Sequence, residues 1–173
     1  MLTAAATVAG LLGILLFPGP SAAAEVATLT CVSSTDVHYK PGLHVTPRTV
    51  QVKVDGKLAP CIGVNDARIS AGWYGAQFRA VRSCADLLTP ATGVFTVYWN
   101  GGTHGFSTIS YSRTATIVGG NIVTTEVGTV TSGDFTGYTT LFETVGPHNP
   151  GDCLTTQGVD HVHTNGNLTI TPV

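Results

Sequence analysis

Residues 94–130 read VFTVYWNGGTHGFSTISYSRTATIVGGNIVTTEVGTV. Three runs rich in β-branched and aromatic residues are separated by two glycine turns, Asn100-Gly101-Gly102 and Gly119-Gly120-Asn121. In the middle run Ile109, Tyr111, Ala115 and Ile117 share one face, with Thr108, Ser110, Thr114 and Thr116 between them; Arg113 interrupts the apolar face once. A period of two marks a half-buried strand, because successive strand side chains point to opposite faces. Glycine supplies the positive φ that tight hairpins require. The stretch is therefore expected to form a three-stranded antiparallel meander, the core sheet of the fold.

Outward from the meander the signals are shorter. Residues 26–32 alternate as a strand, 33–47 read as a loop with a Pro41-Gly42 turn, and 49–54 alternate again before an Asp55-Gly56 turn. Residues 68–70 and 77–82 read as short strands around Gly72-Trp73-Tyr74-Gly75. Asp86-Leu87-Leu88 is a single helical turn or a loop. Beyond the meander, 137–145 is a strand, 146–152 a loop, and 158–163 and 167–171 are strands around Asn165-Gly166. Eight or nine short strands without a convincing helix point to a sandwich or barrel. The expectation is all-β: a single antiparallel β-sandwich of about eight short strands with two disulfides.

The 173 residues suffice for one domain. Residues 8–17 form an apolar run too short to cross a bilayer, which takes roughly 20 residues. Pro18-Gly19-Pro20 follows, and Ala22 and Ala24 fit the small-x-small cleavage rule, although no Lys or Arg precedes the run. Residues 1–24 are thus expected to be a signal peptide and 25–173 the secreted domain. Charged residues are only 10% of the chain, against roughly 25% in an ordinary soluble domain, and the net charge is −2. Without a basic stripe, nucleic acid is excluded as a partner. No second apolar segment anchors the chain in a membrane.

The four cysteines, Cys31, Cys61, Cys84 and Cys153, read as two disulfides in a secreted chain. No C-x-x-C pair supports a zinc site. Of three possible pairings, the expected one joins Cys61 to Cys84, which lie symmetrically about a hairpin turn at Gly72-Trp73, and leaves Cys31 with Cys153. Closing so long a loop would contribute about 4–5 kcal/mol through chain entropy.

The framework of Cys31, Tyr39-x-Pro41-Gly42-Leu43, Thr46-Pro47, Cys61, Cys84, Trp99-Asn100, residues 128–133 (GTVTSG) with Phe135, Cys153 and Gly158-Val159 resembles a group of small secreted proteins of actinobacterial type. The resemblance covers most of residues 25–173. Its motifs are turns, cysteines and core aromatics, so the resemblance implies a fold and not a reaction; no enzymatic activity is established for the group. In size and secretion the chain also resembles the adaptor subunits of umbrella-shaped bacterial toxin particles, which connect a stalk protein to lectin-like subunits.

Candidate chemistry is sparse. His161 and His163, spaced i, i+2, share a strand face and are candidate ligands for a divalent metal with Asp160, His148 or Asp152; two surface histidines are the competing reading, adopted here because no full ligand set is defined. There is no G-x-S-x-G elbow, and His104 has no identifiable acid or nucleophile partner. Glu126 and Glu143 lie on expected strands and read as exposed. Trp73 and Tyr74, at a glycine-flanked hairpin tip, are the candidate binding residues, because exposed Trp and Tyr dominate binding hot spots; the competing reading folds Trp73 back over the sheet as core. Trp99, in phase with Phe95 and Val97, reads as core. The functional expectation is a secreted, non-catalytic binding or adaptor module engaging a protein partner and needing no cofactor. Alternatives are a small secreted enzyme, or an extracellular protease inhibitor presenting residues 146–153.

Overall fold

The computed structural model describes residues 28–64, 68–103 and 105–173; the expected signal peptide and His104 lie outside them. Eight antiparallel strands follow one another: β1 (Thr28–Leu43), β2 (Arg48–Val64), β3 (Gly72–Arg82), β4 (Ala91–Trp99), β5 (Phe106–Val118), β6 (Asn121–Gly133), β7 (Thr139–Pro147) and β8 (Val159–Thr171). Each pairs with its sequence neighbour, and β8 pairs back onto β1 from Leu29↔Ile170 to His38↔His161. The sheet thus closes into a barrel.

The meander is present as β4, β5 and β6, with Gly119 and Gly120 at φ 58° and 79° in the β5–β6 turn. Asp86 and Leu87 fall in a short 3-10 turn, Cys84–Leu87. The eight antiparallel strands and two disulfides stand, but the sandwich is corrected to a closed barrel. A sandwich requires strands to leave one sheet for another, and here no strand skips its neighbour.

The error has one physical source. Glycines inside strands imitate turns. Asp55-Gly56 lies within β2, Gly72–Gly75 opens β3, and Asn165-Gly166 lies within β8. Gly56 sits directly opposite Tyr74, whose ring folds across it, so that a Cβ there would overlap the ring. These glycines make room for a neighbouring group rather than bending the chain. Without the break at Gly56, β2 runs 17 residues, and residues 33–43, expected as a loop turning at Pro41-Gly42, instead continue β1, which runs 16.

Alternation then defines the interior. The half of the barrel at the β1 N-terminal end is filled by Leu29, Leu58, Val97, Ile109, Leu168 and Ile170, packed around Trp99. Trp99 is fully buried; its Nε1–H donates to Ser107 Oγ at 2.9 Å, and Ser107 donates onward to the Asp134 carbonyl at 2.6 Å. Phe135 closes this end edge-on to Trp99, with centroids 6.1 Å apart.

The disulfides pair differently from expectation. Cys31 bonds Cys61, its register partner across β1 and β2. Cys84 bonds Cys153, joining the β3–β4 and β7–β8 connections, which leave opposite sides of the same barrel end. The expected Cys61–Cys84 link fails because residues 72–82 form one strand and no hairpin turns at Gly72-Trp73. The Cys84–Cys153 strap packs over β1 and β2 through Leu43, Val50 and Leu87, and the Cys84 N–H bonds the His44 carbonyl at 2.9 Å.

One wall is incomplete. β3 and β4 pair only at Gly72↔Trp99 and Trp73↔Tyr98. Above Trp73 they part, leaving a seam between residues 75–82 of β3 and the first half of β4.

Trp99→Ala is expected to destabilise the protein by about 3–5 kcal/mol, as truncating a fully buried aromatic does. Trp73→Ala, on the outer wall, is expected to cost about 1 kcal/mol or less. Urea denaturation of both variants measures the difference.

Candidate functional site

Between the filled half and the strap lies a cavity of about 500 Å³. Eight strands enclose either a packed core or a space for one small ligand, and this barrel holds both in series. The cavity floor is aromatic. Tyr74, Phe95 and Phe142 meet with ring centroids 5.2–6.3 Å apart, and Tyr111 joins Phe95 at 5.6 Å. The Tyr74 hydroxyl is tied to Thr35 Oγ1 at 2.5 Å. Tyr111 leans over Gly93, its register partner on β4, where a Cβ would meet the ring. Aliphatic side chains of Val52, Val54 and Val162 line the walls. Phe78 on β3 and Val94 on β4, 43% and 66% exposed, border the seam where the cavity meets solvent.

Two charged side chains enter this apolar space. Arg113 on β5 and Glu126 on β6 are register partners on the inner face, yet their charged groups do not reach ion-pair distance. One Arg113 nitrogen, Nη2, donates to the carbonyls of Asp86 (3.1 Å) and Thr89 (3.4 Å), while its Nε is buried without a partner. Among the described residues no hydrogen bond or ion pair reaches the Glu126 carboxyl. Burial pushes Glu126 up to about 7, with the Arg113 charge opposing. Burial likewise pushes Tyr39, Tyr74 and Tyr111 up, keeping all three neutral.

Asp86, at the rim, is occupied. Burial works to raise it, but bonds from the Ser83 N–H (2.7 Å) and hydroxyl (2.8 Å), with Arg82 at 3.6 Å, hold it below the usual range. Glu126 can exchange a proton near neutrality, as general acid–base catalysis demands. Two carboxylates working together need both free, and Asp86 is not.

The residues singled out from sequence fall elsewhere. Trp73, the second residue of β3, is 47% exposed on the outer wall and not at a hairpin tip, stacked on Tyr98 at 4.8 Å. Tyr74, its immediate neighbour, points inward and is buried, so the pair does not form one surface. His161 and His163 do share the outer face. Asp36 Oδ1 lies between them, 2.8 Å from His161 Nε2 and 2.9 Å from His163 Nδ1, and His38 stacks on His161 at 4.5 Å. Hydrogen bonds from His163 and then His161 hold Asp36 below its ordinary value. Asp160 instead bonds Gln157, and Asp152 bonds Asn149. Among the described residues no group of three or more His, Cys, Asp or Glu converges as a metal site. Glu143 is exposed as expected, whereas Glu126 turns inward. Its signal was its phase: Ile122, Thr124, Glu126, Gly128 and Val130 alternate on one face, as Arg113 does with Ile109 and Tyr111 on β5.

No family model, no curated protein and no solved structure matches this chain. The likeness to small secreted actinobacterial proteins therefore rests on the sequence motifs alone.

Glu126 has a folded pKa above its unfolded value of 4.5. Its contribution to stability is full below that value and is lost as pH rises through about 7. Glu126→Gln removes this slope. The stability of the variant relative to the parent should rise between pH 4.5 and 7 by on the order of 3 kcal/mol at most, then level off, as followed by denaturant titration at each pH.

Proposed function

We propose that this protein is a secreted, non-catalytic binding module whose ligand seat is the inside of the barrel. It takes up one small, largely apolar molecule through the seam between β3 and β4. The observation that carries this reading is the half-filled interior: about 500 Å³ left open over an aromatic floor, with the charged Arg113 and Glu126 side chains on its wall. Ligand sites are apolar concavities of roughly 300–1,000 Å³ with a few placed polar groups. Two disulfides fit an extracellular setting, where a small domain can hold such a hollow open. Among the described residues no helix is long and apolar enough to cross a membrane.

A second reading, an adaptor that engages a protein, is favoured by one separate feature. Trp73, Tyr98 and Phe106 are register neighbours across β3, β4 and β5, and all are exposed on the outer wall. Exposed aromatics of this kind carry binding energy at protein interfaces.

An apolar fluorescent dye should bind with one-to-one stoichiometry and gain emission. Ala76→Trp at the seam and Thr124→Phe on the inner wall should each weaken it at least tenfold without unfolding the barrel, whereas Trp73→Ala should leave it unchanged. Dye binding lost in Trp73→Ala and retained in both interior variants would place the site on the outer wall instead.

A further inference from the structure

The geometry points to a small amphiphilic carboxylate as the ligand of the barrel, its apolar body over the Tyr74–Phe95–Phe142 floor and its carboxylate between Arg113 and Glu126. This rests on the reading of the interior as a ligand seat.

The argument begins with what Arg113 lacks. A guanidinium inside an apolar wall is expected to be paired, because an uncompensated buried charge is costly. Here one Nη2 meets two neutral carbonyls, and among the described residues Nε meets nothing and no carboxylate lies within ion-pair distance. An incoming carboxylate satisfies the fork in the bidentate manner that guanidinium favours. Glu126 stands opposite in register and, among the described residues, is also without a partner. A protonated Glu126 adds an O–H donor to the same acceptor, and burial pushes its pKa up to about 7. A cationic head would meet Arg113 at close quarters, and a neutral one would leave the guanidinium uncompensated.

The other titratable or charged groups that line the chamber around Glu126 are few. β5 contributes Arg113 and Tyr111, β3 Tyr74 and Arg82, β1 Tyr39, and the β3–β4 connection Asp86, already engaged by Ser83 and Arg82. The lining residues of β2, β4, β7 and β8 include none. Glu126 is thus the one group there expected to change charge near neutral pH. A bound carboxylate stays ionised down to about pH 5. Its affinity should therefore rise as pH falls from 8 to 6 and Glu126 gains its proton.

The test is isothermal titration of the whole protein with decanoate, decan-1-ol and decylammonium, which share one body and differ in the head. At pH 6 decanoate should bind at least tenfold more tightly than decanol, and decylammonium more weakly than either. Between pH 6 and 8 decanoate should weaken about tenfold. In Glu126→Gln, whose amide donates at any pH, that dependence should vanish. In Arg113→Met decanoate should fall to the affinity of decanol, with decanol unchanged; if that variant does not fold, the flat profile of Glu126→Gln decides. Equal affinity for decanoate and decanol, or preference for decylammonium, overturns the carboxylate assignment and leaves the seat intact. Failure of all three to bind the folded protein overturns the seat itself.

Discussion

Closure of the sheet through β1 is the constraint from which the rest follows. β1 gives one edge to β2 and the other to β8, so the first and last strands both satisfy their backbone groups within the molecule. An open sheet of eight strands would leave two edges able to recruit other chains. Closure also turns every inward-facing residue toward a common axis. The pattern that half-buries a strand in an open sheet here sorts residues into interior and outer wall. Cys31–Cys61 links β1 to β2 beside Leu29 and Leu58, and Cys84–Cys153 ties two connections across the opposite end. In the chain-entropy account, loops of 30 and 69 residues contribute about 3.5 and 4.5 kcal/mol.

The interior is used unequally along its axis. Around Trp99 it is packed as a core, with its indole N–H and the Ser107 hydroxyl both satisfied. Above Tyr74 the same strands carry valine, threonine and glycine, and the space between them stays open. The charged pair on β5 and β6 falls in the open half, where water or a ligand can compensate it. The seam lies beside this half as well. It is formed because β3 and β4 pair only at their Trp99 end, where Gly72 lets the strand approach the indole. Hollow and entrance thus lie on the same side of the barrel, away from the Trp99 core.

Much of this was legible in the residues, and the failures have a common cause. The meander, its two glycine turns, the burial of Trp99 and the single 3-10 turn after Ser83 all follow from local pattern. The interruption of an apolar face by Arg113 was visible too, although nothing local says that the face encloses a cavity. What local pattern does not contain is the reason for a glycine. Gly56 and Gly166 satisfy every rule for a turn, and only the Tyr74 ring and the Glu143 carbonyl, distant in sequence, show that they mark close approach. From these misreadings came short strands and a sandwich, and from Gly72–Gly75, read as a turn, came the hairpin at Gly72-Trp73 and the wrong disulfide partners. Trp73 and Tyr74 show the same limit: adjacent residues on one strand face opposite ways, so one is wall and the other floor.

The central claim is that the barrel is filled at one end and receptive at the other. Methyl-resolved NMR of the protein, titrated with a small apolar ligand such as decanol, tests it most directly. The account predicts shifts at Val52, Val54, Ile122 and Val162 around the chamber, with Ile109, Leu168 and Ile170 in the filled half nearly still. Shifts confined to the outer-wall methyls of Val127, Leu141 and Val145, with the chamber methyls unmoved, would contradict it.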